Sequence, residues 1–295
     1  MVRFEGSFTL LVTPFDAQGR IDPVSYARLV EHHLAAGPQG IFAVCGTSEM
    51  AALEAEERIQ LAQEAARRVA GAVPVVATAN VGLEPEGHGD EVERMSQTGV
   101  DGVVLVPPRR HAGDPEALLQ YFARLVARSA VPVLLYEWPG SNPSEIPPGV
   151  FGRLAADSGV RGIKDTSCTR EELAAKVAAA PGAAVFQANN PLLTAAFTLG
   201  ARGTMTITSA ARPDLLAALW RAHAAGRAME AASLEREIVF LDAVIGPCHP
   251  AGAKWLLRRA GVLPGIRTRA GRAPSEADAA ALEAWARQAP PWQGR

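Results

Sequence analysis

The sequence predicts an α/β fold, a (β/α)8 TIM barrel with a C-terminal helical appendage. Three observations carry that prediction. Eight short apolar runs begin 19 to 34 residues apart, the length of a β-α unit. Each run is apolar almost throughout, as parallel strands buried on both faces require. The chain, 295 residues long, suits one barrel of typically ~250 residues plus an addition.

The predicted strands are Phe8–Val12, Gly40–Cys45, Pro74–Ala79, Asp101–Val106, Pro132–Tyr136, Val160–Lys164, Ala183–Gln187 and Arg202–Thr206. Helices fill the intervals. Val24–Ala36 sets Tyr26, Leu29, Val30 and Leu34 on one face. Glu54–Val69 interleaves apolar and charged residues, and Asp114-Pro115-Glu116 reads as an N-cap with Pro in the first turn. From Arg212 onward the pattern is helical, with Pro213–Ala225, Arg227–Val244, Ala251–Ala260 and Ser275–Gln288 as segments. The expected division is a catalytic barrel over residues 1–225 and a three-helix extension over 226–295. A doubly wound open sheet is the alternative, but no G-x-G-x-x-G follows the first strand.

Composition narrows the function. Lys+Arg 29 against Asp+Glu 31 gives a net charge of −2, which offers no electrostatic case for nucleic acid or an anionic membrane. No apolar stretch approaches the ~18 residues of a membrane span. The three cysteines show no C-x-x-C pattern, and no signal peptide is recognised. The expectation is a soluble cytoplasmic protein in a reducing compartment.

Only three lysines, Lys164, Lys176 and Lys254, stand beside 26 arginines. Arginine cannot replace lysine where an amine must lose its proton and attack carbon, so the position of each lysine is informative. In barrel enzymes the chemistry lies at the C-terminal ends of the strands. Lys164 ends the sixth predicted strand and Tyr136 the fifth. A desolvated amine there, neutral at working pH, can attack a keto carbon, and an adjacent phenol can carry protons. The opposing reading is a structural lysine paired with Asp165 or another carboxylate nearby, beside a core tyrosine. The Gly46-Thr47-Ser48 turn offers N–H groups and hydroxyls to a carboxylate, or it is a simple cap, with Glu49 bracing the loop. No strand ends in His, so neither a metal nor a cofactor is expected. Pro247-Cys248-His249-Pro250 reads as a helix–helix turn.

The chain resembles the dihydrodipicolinate synthase / N-acetylneuraminate lyase family of Schiff-base barrels. The resemblance runs from Gly6 to about Gly261 through GSFTLLVTPFDAQGRID, CGTSEMAALEAEER, VLVPP, LLYEWP, GIKDTS and GARGTMTITSA. It implies that Lys164 is the Schiff-base lysine, that Tyr136 of the Y-x-x-P motif mediates proton transfer, and that Thr47 binds the carboxylate of a 2-oxo acid. It also implies a backbone contact to substrate near Met205 and a homo-oligomer, dimer or tetramer. Four positions depart from the synthase pattern. Gly46 stands where a relay threonine is usual, Arg109-Arg110 replace a tyrosine pair, and Ser141 takes the place of the arginine that grips the aldehyde's carboxylate.

The expectation is therefore a lyase acting on pyruvate or a 2-oxo acid such as a 2-keto-3-deoxy sugar acid, by cleavage or dehydration. Lys164 and Tyr136 would do the chemistry, with Thr47, Ser48, Met205 and Arg110 binding substrate, and Arg109 or Arg110 meeting its second acidic or hydroxylated end. Condensation of pyruvate with aspartate semialdehyde is the alternative. A non-catalytic 2-oxo-acid-binding barrel is the rival from another class.

Overall fold

The computed structural model describes residues 2–81, 85–111 and 113–292. Eight parallel strands close into a barrel in chain order: β1 (Gly6–Leu10), β2 (Gly40–Val44), β3 (Val75–Thr78), β4 (Gly102–Leu105), β5 (Val133–Tyr136), β6 (Gly162–Asp165), β7 (Ala184–Gln187) and β8 (Gly203–Thr204). Eight helices alternate with them, namely α1 (Pro23–Ala35), α2 (Ala55–Val69), α3 (His88–Ser96), α4 (Pro115–Val126), α5 (Pro148–Asp157), α6 (Arg170–Ala179), α7 (Leu193–Thr198) and α8 (Pro213–Ala224). Then come α9 (Ala228–Ile245), α10 (Ala251–Arg259) and α11 (Glu276–Gln288). No helix among the described residues is long and apolar enough to cross a membrane.

The predicted elements and the observed ones differ mainly at their ends. β1 starts and stops two residues early, although Leu11 N still donates to Phe42 O at 3.2 Å just beyond its end. β8 is only two residues long, because the chain enters the 3-10 turn Ile207–Ala210. His88 opens α3. The caps follow the chemistry read from the sequence. The Asp114 carboxylate accepts from Ala117 N at the start of α4, and Asp22 accepts from Val24 N and Ser25 N at the start of α1.

The barrel interior is filled by large side chains. Phe8 and Phe186 meet edge to face with centroids 5.0 Å apart, and Phe42 meets Tyr136 at 6.0 Å. Gly40 is required beneath Phe8, since a Cβ there would lie 2.3 Å from the ring. Gly162 of β6, two residues before Lys164, lets β7 approach, because a Cβ there would lie 2.6 Å from the Ala184 carbonyl oxygen. That obstacle is backbone and cannot rotate away. Gly162→Ala is therefore expected to destabilise the barrel by about 1–3 kcal/mol, read as a lowered urea midpoint at unchanged slope.

Candidate active site

β5 and β6 run in a register that sets Tyr136 opposite Lys164. Successive residues of a strand point to opposite faces. Tyr136 and Lys164 share the inner face, and the residues that follow them, Glu137 and Asp165, turn outward to the helix layer. There Lys176 of α6 reaches both carboxylates, with Nζ 2.7 Å from Glu137 Oε1 and 2.7 Å from Asp165 Oδ1. All three are buried. Gln187 Nε2 donates to Asp165 at 2.9 Å, while the N–H groups of Ile146 and Thr166 donate to Glu137 at 3.0 Å each. Burial raises the Glu137 pKa in spite of the Lys176 charge. Burial alone would raise Asp165 too, but Lys176 holds it down.

Lys254 is occupied in a similar way. Its amine lies 2.5 Å from Glu49 Oε1 and donates to the Arg267 carbonyl. Glu49 Oε2 accepts from the N–H groups of Arg269 and Ala270 at 2.6 Å each. Glu49 thus braces the loop by tying it to the segment between α10 and α11.

Lys164 is left with aromatic company. It is 4% exposed, and Nζ lies 4.2 Å from the Tyr136 ring centroid and 5.5 Å from that of Phe42. Among the described residues no carboxylate pairs with it. Burial lowers its pKa to about 8. At pH 8 about half of the amine is then neutral, against roughly half a per cent for an ordinary lysine. The structural alternative, Lys164 paired with Asp165, is excluded by the parity of the strand.

The other predicted residues divide. Thr47 sits at the mouth in a 3-10 turn, Gly46–Ser48. The turn was expected to open a helix, but α2 begins only at Ala55, after a second 3-10 turn. The Ser48 N–H donates to Cys45 O and that of Glu49 to Gly46 O, so neither is available to a ligand. The Ser48 hydroxyl, expected to meet substrate, is drawn into the loop. It accepts from Cys45 N at 3.0 Å and faces the carbonyls of Leu11 and Ala43 at 2.8 and 2.9 Å. Met205 is buried, and its N–H donates to Gln187 O at 3.0 Å.

Arg110, also expected at the substrate, turns outward instead. Its side chain is 62% exposed and pairs with Glu86 at 2.8 Å. The short turn Arg109–His111 sends adjacent residues in different directions, and it is Arg109 that lines a cavity of about 380 Å³ with Asn80, Trp138 and Ser141. Trp138 also occupies the space beside Gly46, where a Cβ would lie 3.1 Å from the indole Nε1 and 3.3 Å from the Tyr136 hydroxyl.

One residue of the site was read only as part of a turn. His249, between α9 and α10, brings Nε2 to 3.2 Å from Thr47 Oγ1 across a separation of 202 residues. No local pattern announces that contact. The only signal in the sequence is a histidine in a loop of the appendage.

A reactive amine and a phenol at the C-terminal mouth of a (β/α)8 barrel define a lyase of the class I aldolase type. The comparisons agree. A model of the dihydrodipicolinate synthetase family matches residues 3–284. A 4-hydroxy-tetrahydrodipicolinate synthase of Pseudomonas aeruginosa is 31% identical over 266 residues, 89% of this chain and 90% of that protein. One from Acidithiobacillus ferrooxidans is 30% identical over 267 residues, 89% and 91% of the two chains. The fold is that of a dihydrodipicolinate synthase from Bacillus anthracis, with a TM-score of 0.92 at 24% identity over 99% of this chain and 100% of that one. It is also that of YagE, an E. coli K12 prophage protein of the same family solved with pyruvate, with a TM-score of 0.90 at 24% identity over 97% and 98%. The chain belongs to the dihydrodipicolinate synthase family.

The cost of burying the Lys164 amine is itself measurable. The folded pKa of about 8 lies below the unfolded value of about 10.4. Below pH 8 both states hold the proton, so the folded state bears the whole penalty. As pH rises from 8 toward 10.4 the unfolded state alone stays protonated, and the penalty is relieved. Lys164→Met is therefore expected to stabilise the protein at pH 6–7 by up to about 3 kcal/mol, an advantage that shrinks to nothing above pH ~10.5. Urea unfolding at several pH values measures it.

Proposed function

We propose that this chain is a Schiff-base-forming lyase acting on pyruvate or a 2-oxo acid such as a 2-keto-3-deoxy sugar acid. The observation that carries the reading is Lys164, buried, unpaired with any carboxylate among the described residues, and in register with Tyr136. The neutral amine attacks the C2 carbonyl, and water leaves to give an iminium. Cleavage of the C3–C4 bond releases an aldehyde and passes its electron pair into the iminium as an enamine. Dehydration takes another route: removal of a C3 proton forms the enamine, which then expels the protonated C4 hydroxyl as water. Tyr136 serves as proton carrier in its neutral form, since burial raises its pKa. Thr47 and the N–H groups of its turn hold the carboxylate, the Met205 carbonyl supports the substrate, and Arg109 meets its far end from the cavity wall. The working form is a homo-oligomer, dimer or tetramer, which sedimentation velocity resolves.

The second reading is condensation of pyruvate with aspartate semialdehyde, the reaction for which the curated relatives are named. Against it stand Gly46, whose missing side chain leaves room for Trp138, and Ser141 in place of an arginine. A panel of 2-keto-3-deoxy acids assayed for released pyruvate or for dehydration, with the condensation run alongside, separates the two. Turnover of the sugar acids with little condensation is the expected outcome, and the reverse would reassign the chain.

Borohydride added with pyruvate is expected to inactivate the enzyme and leave a reduced adduct on Lys164 by peptide mass spectrometry. Lys164→Arg should abolish both adduct and turnover. Tyr136→Phe should keep the adduct but lower kcat by about 10²–10⁴-fold. An adduct on another residue, or a fully active Lys164→Arg, would defeat the proposal.

A further inference from the structure

His249 lies at the mouth with no task in the mechanism above. Its Nε2 is 3.2 Å from Thr47 Oγ1, while Nδ1 is buried without a hydrogen-bond partner among the described residues. Burial, then the charges of Lys164 and Lys254, lower its pKa to about 4. At neutral pH the ring is uncharged and carries one proton, so the tautomer decides which nitrogen donates. With the proton on Nδ1, a buried donor would go unmet, and buried donors without acceptors are rarer than underused acceptors. With the proton on Nε2, the ring donates to Thr47 Oγ1. The threonine hydroxyl then cannot point its own proton at the histidine and is free to donate to a bound anion.

The position of the ring is built from several directions. The turn Gly246–Cys248 delivers it from α9, and α10 follows. Gly271 packs on its backbone, where a Cβ would lie 2.9 Å from His249 O. The Thr47 turn is itself tied to the same appendage through Glu49, which Lys254 and the Arg269 and Ala270 N–H groups hold. Both partners of the contact are thereby fixed to one framework.

We propose that His249 is a positioning residue, supplied by the C-terminal appendage, that donates from Nε2 to Thr47 Oγ1 and so directs the threonine hydroxyl toward the substrate carboxylate. The inference rests on the reading of Thr47 as a carboxylate-binding residue. It makes the appendage part of the binding site for the 2-oxo acid rather than a cover over the barrel.

The test uses pyruvate as probe and the rate of borohydride trapping as readout, giving a half-saturating concentration and a maximal rate. His249→Ala is expected to raise the half-saturating pyruvate concentration about 10-fold or more, the scale of one charge-assisted hydrogen bond, with the maximal rate changed less than about 3-fold. Thr47→Val should do the same. The double variant should be no worse than Thr47→Val alone, since the two side chains act through one hydroxyl. His249→Gln, whose amide N–H has similar reach, should recover most of the affinity. His249→Met fills the volume without a donor and replaces His249→Ala if that variant does not fold. An unchanged half-saturation in His249→Ala, losses that multiply in the double variant, or a failure of Gln to recover would overturn the role of His249. If the wild-type protein formed no adduct on Lys164, the reading of the whole site would fall and this role with it. An adduct with flat half-saturation removes His249 alone.

Discussion

Everything in the site depends on keeping one amine away from negative charge inside an apolar ring. The pleat of β5 and β6 does most of this. It turns Tyr136 and Lys164 inward and Glu137 and Asp165 outward, and Lys176 engages both carboxylates in the helix layer. Had Asp165 faced inward, it would have paired with Lys164 and kept the amine charged, because an opposite charge at contact favours the ionised form. The aromatic rings of Phe42 and Tyr136 offer the ammonium only a weak substitute for water. The net result is a lowered pKa. The same burial in the helix layer gives the opposite result for Lys176, whose two carboxylates raise its pKa although desolvation alone would lower it.

The buried ion pairs are better understood as separators than as sources of stability. Breaking a buried pair by removing one partner strands a charge at a cost of about 3–5 kcal/mol, yet the intact pair adds little over an apolar packing. Their placement explains their presence. Lys176 neutralises the two carboxylates that the pleat turns into the helix layer. Lys254 neutralises Glu49, two residues beyond Thr47, and in doing so ties the Thr47 turn to α10. The three lysines thus fall into two that neutralise carboxylates and one that, among the described residues, has none to neutralise.

The sequence makes the strands legible because buried parallel strands leave a continuous apolar signature. It also makes the Tyr136–Lys164 pair legible, since each ends a strand and one β-α unit separates them. The outward turn of Asp165 follows from the same period-two rule. Other features depend on geometry that no run of residues encodes. Arg109 and Arg110 are neighbours in a turn, and only its rotation decides which lines the cavity. Ser48 has the right chemistry for substrate, but its hydroxyl is taken by three backbone groups of the loop and the adjoining strands. His249 meets Thr47 only once the chain has closed the barrel and folded the appendage back over its mouth.

The small number of lysines allows the central claim to be examined directly. Protein labelled with 13C at lysine Cε should show three side-chain signals, one for each lysine in the chain. Assigned by its loss in Lys164→Met, the Lys164 signal should titrate near pH 8 while that of Lys176 stays in its charged position well above that pH. A Lys164 signal that holds its charged position to the ordinary lysine range of about 10.4 would contradict the account, because the amine would then be no better a nucleophile than any lysine on the surface.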